Sequence, residues 1–347
     1  MKTVLVTGGC GFIGSNFVRL LNAERDWRII NLDKLTYAGN LENVAGVDVG
    51  RNHFVHGDII DRTLVEEILQ KEKPWAIVNF AAESHVDRSI LDASPFVQTN
   101  IGGVQSLLDA IRTHPVERFL QISTDEVYGD KEEKEPATED SPLRPSSPYA
   151  ATKAAADLLC FSYRRTYDLP VLVTRSSNNY GPYQFPEKLI PLLIRNGLNG
   201  LEFPVYGDGK QVRDWLYVED NCRAILRVLE KGRVGSIYNI GTAEERTNCD
   251  VVESICIAIA DRKSMDLNRL KQRIRFITDR PGHDRRYAIN TSRIRAETGW
   301  KPTTVFSVAM NQTVDWYLDH ADWIAHVTSG EYRKYYDSVY SRNWARG

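Results

Sequence analysis

Apolar residues along the first half of this chain fall into two alternating patterns. Short unbroken runs (Val4-Leu5-Val6, Arg28 to Leu32, His53 to His56, Ala76 to Phe80, Arg118 to Ile122 and Val171 to Arg175) read as buried strands. Between them, apolar residues recur at helical spacing: Phe12, Ile13, Phe17, Leu20 and Leu21, then Leu64, Val65, Ile68 and Leu69. A third helix is predicted from about Pro95 to Arg112, with Val97, Ile101, Val104, Leu107, Leu108 and Ile111 on one wide face. That face is a candidate dimer seam, and a core-facing helix accounts for it nearly as well. Strands alternating with helices of this length predict an α/β fold, a right-handed, doubly wound parallel sheet.

The first strand runs into Thr7-Gly8-Gly9-Cys10-Gly11-Phe12-Ile13-Gly14. Its glycines satisfy both G-x-x-G-x-x-G and G-x-G-x-x-G, and a helix starts near Gly11 or Phe12. Backbone N–H groups and the helix dipole make such a turn an anion site suited to a diphosphate. Asp33 ends the second strand nineteen positions after Gly14. A carboxylate there can accept from both ribose hydroxyls of an adenosine, which favours NAD over NADP. Asp58, after the third strand, stands where the adenine would lie, and either Asp58 or Asp61 is placed to cap the next helix.

Two polar loops leave the same edge of the predicted sheet. Ala81 to Ser89 begins with two small residues and continues with polar side chains. Ser123 to Gly129 carries the adjacent acids Asp125 and Glu126, which reach one ligand only if the chain turns there. The competing reading of that pair is a solvated acidic loop. After a proline-rich stretch, a helix begins near Tyr149, with Tyr149 and Lys153 one turn apart on one face. A cation so placed would pull the phenol pKa down and make Tyr149 a candidate general base.

Composition narrows the class of partner. The chain has 347 residues, a net charge of −2 and no long apolar stretch, which argues against nucleic acid or membrane as a partner. The strand-like start leaves no room for a signal peptide. Five scattered cysteines without C-x-x-C predict reduced thiols in a cytoplasm and no metal site. Cys10 in the glycine loop reads as a small filler before a redox group.

Together these pieces resemble the extended short-chain dehydrogenase/reductase family over nearly the whole chain. The segments 81–89, 123–129 and 175–184 are similar to its nucleotide-sugar 4,6-dehydratases, with Asp125-Glu126 as the discriminating pair. Related epimerases carry small or hydroxyl residues there. The resemblance implies a Rossmann-type NAD domain, mainly 1–178, and a smaller C-terminal sugar-nucleotide domain, mainly 179–347, with the chain crossing between them more than once. Beside Gly8, Gly11, Phe12, Ile13, Gly14, Asp33 and Asp58, it implies cofactor contacts at Lys34, Leu35, Thr36, Ile59, Phe80, Ala81, Ala82, Ser84, Thr99, Tyr149, Lys153 and Asn179. Substrate contacts are implied at Ser84, Thr124, Asn178, Lys188, Leu189, Pro204, Val205, Tyr206, Arg213, Asn248, Asp279, Arg280, Pro281, Gly282 and His283. Arg213 would hold the nucleotide diphosphate.

The implied substrate is dTDP-glucose, and the implied assembly is a homodimer through two helices of the NAD domain. Tyr149 would take the 4-hydroxyl proton while NAD receives the C4 hydride, with Lys153 orienting the nicotinamide ribose. Glu126 would remove the C5 proton, Asp125 would protonate the departing C6 oxygen, and Thr124 would donate to the 4-oxygen. The hydride would return to C6, so that the cofactor stays bound through each turn. A UDP-sugar dehydratase, a 4-epimerase and a non-catalytic NAD sensor are the competing readings. The aromatic tail (Tyr332, Tyr335, Tyr336, Tyr340, Trp344) reads as packing.

Overall fold

A computed structural model describes residues 1–131 and 135–329; the aromatic tail lies outside them. In chain order the strands are β1 (Thr3–Thr7), β2 (Arg28–Asp33), β3 (Asn52–His56), β4 (Ala76–Asn79), β5 (Arg118–Thr124), β6 (Val171–Ser176), β7 (Asn178–Tyr180), β8 (Phe203–Tyr206), β9 (Val212–Tyr217), β10 (Ile237–Ile240), β11 (Glu245–Thr247) and β12 (Ile274–Ile277). Seven of them form one sheet in the order β10-β6-β5-β4-β1-β2-β3. Every pairing in it is parallel, as the alternation of strands and helices predicts.

The unbroken apolar runs have a direct cause, since the strands are covered on both faces; the run His53 to His56 is the exception, because β3 is an edge strand with His53 and His56 exposed. Val4, Val6, Ile29 and Leu120 point to one core, which the helices Phe12–Glu24 and Val218–Lys231 close. Leu5, Ile30, Ile77 and Phe119 point to the other, against Arg62–Glu72, Val104–Thr113 and Pro148–Tyr167. A third core gathers the helices Leu189–Leu198, Asn248–Lys263 and Phe306–Asp319. β10 belongs to the main sheet although it follows residue 178, so the chain returns to the first unit after entering the second.

Two helices differ from the sequence reading. The stretch from Ser94 to Thr113 is not a simple α-helix, because Val97–Gly103 is wound as a π-helix and Val97 is 48% exposed. Gly103 sits so close to Ile59 that a Cβ would fall 2.4 Å from its Cδ1. The wider turn also lets Asn100 turn inward, where it donates to the Glu83 carbonyl at 3.0 Å and to Thr152 Oγ1 at 3.0 Å. π-bulges of this kind gather at functional sites, and this one fixes the loop that leaves β4. Residues 305–318 of the sequence predict a closing amphipathic helix; it is Phe306–Asp319, and Ala321–Val327 follows it. Among the described residues no helix is long and apolar enough to cross a membrane.

The sheet order reverses between β1 and β4. At such a switch point the two following connections part to opposite faces and leave a crevice beyond the strand ends. Both the glycine loop and the Ala81–Ser89 loop open into it.

Candidate active site

The glycine loop is shaped by crowding. Gly8 has φ +71°, and a Cβ on it would lie 2.5 Å from the Ala81 nitrogen; one on Gly14 would lie 2.2 Å from the Gly8 carbonyl oxygen. Only glycine lets β1, the first helical turn and β4 approach so closely. Gly11 offers no side-chain cap, so the N-terminus of the helix Phe12–Glu24 faces the crevice. The result is a groove of about 1270 Å³ running from the glycine loop to Tyr149 and Lys153.

Every cofactor residue expected from the sequence lines this groove except Leu35 and Asn179. Leu35 instead shapes the turn beyond β2, with φ +53° and its N–H donating to Asp33 Oδ1 at 2.8 Å. Asn179 is committed to its own neighbourhood, donating to the Ser177 carbonyl and accepting from Gln184 on its main chain. Asp33 also accepts from the Cys10 N–H at 2.8 Å, and burial pushes its pKa up. Lys34 pairs with Asp58 at 2.7 Å across the far end, and Asp61 rather than Asp58 caps the next helix. The Cys10 thiol is buried and pushed up to about 12, first by burial and then by the Asp33 charge, which leaves no thiolate for redox chemistry.

At the other end, Ser147 caps the helix Pro148–Tyr167 and sets Tyr149 in its first turn. Its ring lies edge-on to Phe96, and its N–H donates to Ser89 Oγ at 3.2 Å. Lys153, one turn on, donates to the Ile122 carbonyl at 2.6 Å. β5 ends at Thr124, and the chain then turns through the 3₁₀ segment Asp125–Tyr128, with the Glu126 N–H on Thr124 Oγ1 at 3.3 Å. After that turn the charges of both acids act on the Tyr149 phenol. Asp125 is 2% exposed, which removes the solvated-loop reading.

The two acids sit in unequal fields. Burial raises both pKa values. Asp125 is lifted further by Glu126 and Asp214, and only Arg213 and Thr124 oppose this. Glu126 is raised less: burial and Asp284 lift it, and Arg280, Lys188 and Arg213 oppose them. The shared proton therefore belongs on Asp125 and the charge on Glu126. Asp125 Oδ2 is buried with no hydrogen-bond partner, as suits a group reserved for a ligand.

The expectation of a depressed Tyr149 pKa is overturned for the chain by itself. Burial and the charges of Glu126 and Asp125 push the phenol up, with only a contact to Thr124 opposing them strongly. Lys153 is itself depressed to about 8 by burial, and it donates to the Ile122 carbonyl.

On the substrate side, Arg280 pairs with Asp87 at 2.9 Å, and Tyr206 donates to the same carboxylate at 3.0 Å. Arg280 Nε remains buried and unpartnered. Arg213 donates to the carbonyls of Val212, Asp284 and Arg285 and stacks 4.2 Å above Tyr287. Its charge reaches the acids, but its fork is largely spent on main chain. His283 bonds Asp279 at 2.6 Å, and burial and Arg280 lower its pKa to about 4. Lys188 donates to the Ser84 carbonyl at 2.9 Å. Asn248 anchors its helix through the Gln211 carbonyl. Asn178 Oδ1 is buried without a partner. Gly282, at φ +67°, brings the Pro281 turn against Ser146. Val205 is 1% exposed and belongs to the third core, and Leu189 packs on that core; neither presents a free side chain. Pro204 precedes Val205 on β8 and pairs with Arg275 of β12.

Several residues escaped the sequence reading: Asp87, Asn100, Asp157 and Glu187. Asp157 alone had a legible signal, because Tyr149, Lys153 and Asp157 repeat at four-residue spacing on one helical face. It pairs with Arg175 at 2.9 Å with both side chains buried; Arg175 donates on to Tyr128, and Tyr128 to Asn239. This chain ties the Tyr149 helix to β6, β10 and the turn that carries the acids. Asp157→Ala leaves a buried guanidinium uncompensated and should cost about 3–5 kcal/mol in a urea unfolding curve; an unchanged midpoint would refute the tie.

Comparison with known proteins agrees with this geometry. A family profile described as GDP-mannose 4,6 dehydratase matches residues 5–313. The chain is 51% identical over 344 residues to a dTDP-glucose 4,6-dehydratase of Xanthomonas campestris pv. campestris, covering 96% of this chain and 98% of that one. Among solved structures, DesIV, a dTDP-glucose 4,6-dehydratase from Streptomyces venezuelae with NAD bound, superposes with a TM-score of 0.88 at 47% identity, covering 94% of this chain and 100% of that one. The dTDP-glucose 4,6-dehydratase of Bacillus anthracis in complex with NAD gives 0.86 at 45% identity, with the same coverage. The glycine-lined crevice, the helical tyrosine and lysine and the buried acid pair thus stand in a chain that belongs to the GDP-mannose 4,6-dehydratase family.

Proposed function

We propose that this protein converts dTDP-glucose to dTDP-4-keto-6-deoxyglucose by C4 oxidation, loss of water across C5–C6 and reduction at C6. The observation that carries this reading is the acid pair beside Tyr149, one acid biased to hold a proton and the other to be charged. Oxidation at C4 alone needs neither acid. The substrate follows from the named relatives, which act on dTDP-glucose.

The groove fits NAD: the helix Phe12–Glu24 presents an uncapped N-terminus at the glycine loop, suited to a diphosphate, and Asp33 sits at the end of β2, where a ribose would be read. NAD, when bound, supplies the hydride acceptor at C4 and the donor at C6. Gly8, Gly11, Asp33 and Asp58 hold it, with Thr99 and Phe80 along the groove wall.

Tyr149 takes the 4-hydroxyl proton, and Thr124 donates to the 4-oxygen. The new ketone acidifies the C5 hydrogen. Glu126, the less raised of the two acids, removes it. Asp125, kept protonated by burial, gives its proton to the C6 oxygen and water leaves. Arg280 and Lys188 supply the cationic side of the substrate site.

The residues of 1–178 form most of the cofactor half, and those of 179–347 most of the nucleotide half. Two molecules pair through the helices that carry Val97 and Leu158, which are 48% and 62% exposed and support that seam.

Purified protein is incubated separately with dTDP-glucose and UDP-glucose, and products are identified by mass. Loss of one water from dTDP-glucose, with little or none from UDP-glucose, is the expected result. An isomer of unchanged mass would mean an epimerase. Efficient water loss from UDP-glucose would move the substrate to uridine nucleotides.

A further inference from the structure

The segment 182–188 crosses over the dinucleotide groove and is fastened on three sides. At its start, Asn16 of the helix that follows the glycine loop donates to the Pro182 carbonyl at 3.0 Å. At its end, Lys188 donates to the Ser84 carbonyl at 2.9 Å, on the loop after β4. Between these, Phe185, Glu187 and Lys188 line the groove, opposite Thr36, Ala38 and Gly39 of the loop after β2. Tyr37 of that loop reaches the segment. Its hydroxyl donates to Glu187 Oε1 at 2.9 Å, and its ring meets Phe185 edge-on at 5.4 Å. The Arg88 guanidinium lies 3.9 Å over the same ring and donates to Glu187 Oε2 at 3.3 Å.

Glu187 is 5% exposed, so this is a buried, charge-assisted contact. Tyr37 is the residue that bonds the loop around the adenosine end of the groove to the segment crossing it. The groove floor is closed by the glycine loop and the strand ends. Tyr37 and Glu187 bridge two walls of the groove, so lifting the crossing segment or swinging out the Tyr37 loop to release a dinucleotide breaks Tyr37–Glu187.

We propose that Tyr37, held by Glu187 and Arg88, is the latch that retains NAD between turnovers. This rests on the reading of a cofactor recycled in every cycle. A dehydrogenase that exchanges its cofactor each turn would gain nothing from such a closure. Here each escape of reduced cofactor before C6 reduction would strand a half-processed sugar.

Three proteins are compared: wild type, Tyr37→Phe and Tyr37→Ala, each loaded with NAD and passed through a desalting column. NAD dissociation is then followed by capture with an auxiliary NAD-consuming enzyme. Losing a hydrogen bond to a buried charged group should speed dissociation roughly tenfold in Tyr37→Phe, and further in Tyr37→Ala, where the ring contacts also go. Without added NAD both variants should lose turnover, and excess NAD should restore it. A merely structural role would lower the melting temperature of the cofactor-free protein and would not be repaired by NAD. Dissociation at the wild-type rate in both variants overturns the latch. Wild-type protein that itself sheds NAD within one turnover overturns the recycling reading instead.

Discussion

Tyr149→Phe should lower turnover by roughly 10²–10⁴-fold, as expected for a missing general base, while substrate binding changes little. The ring is held edge-on by Phe96, and the helix start is held by Ser147 and Ser89; none of these contacts uses the phenol oxygen. The substitution therefore removes the base and keeps the packing. The phenol is costly to ionise here, because burial, Glu126 and Asp125 all favour the neutral form. This gives the prediction a pH signature. Neutralising Glu126 removes one of the charges that penalise phenolate, so the Tyr149 pKa should fall. In Glu126→Gln the acid limb of C4 oxidation should accordingly move to lower pH, read from reduced nicotinamide absorbance after substrate is added. Near-normal turnover in Tyr149→Phe would assign the oxidation to another group, and an unmoved limb would mean that Glu126 does not act on the phenol.

Glu126→Gln and Asp125→Asn should each lose water elimination by roughly 10²–10⁴-fold and should differ in what survives. Both leave C4 oxidation in place, so reduced cofactor builds up in each. In deuterated water, Asp125→Asn still has its base. Glu126 can take and return the C5 proton, and recovered dTDP-glucose should carry deuterium at C5. Glu126→Gln has the same shape but accepts no proton, so its recovered substrate should remain unlabelled. The unequal fields motivate the contrast: burial, Glu126 and Asp214 raise Asp125 well above the usual carboxylate range, whereas Arg280, Lys188 and Arg213 oppose the effect of burial on Glu126. If the labelling pattern is reversed, the two acids exchange roles. If Glu126→Gln forms the keto-deoxy sugar at near wild-type rate, the base lies elsewhere.

The parts of this protein legible in the sequence are those that depend on near neighbours. The parallel sheet follows from apolar runs whose residues are buried on both faces. The groove follows from glycines whose absent side chains are demanded within a few residues, as Gly14 is by Gly8. Tyr149 and Lys153 share a face because a helix repeats every 3.6 residues, and the turn at Asp125 follows from a strand ending before Gly129. Tertiary structure alone decided how these groups are charged and held. The phenol pKa rises instead of falling because burial disfavours phenolate and the charges of Glu126 and Asp125, on the turn after β5, add to that. The acids separate into a proton holder and a charge because Arg280, Lys188 and Asp214, far apart in the chain, converge on them unequally. Arg213 is caged by carbonyls from 284–285, and Tyr37 finds Glu187 at a separation of 150 residues. Desolvation and Coulomb interaction depend on distance through space, and a sequence without its fold contains no such distances.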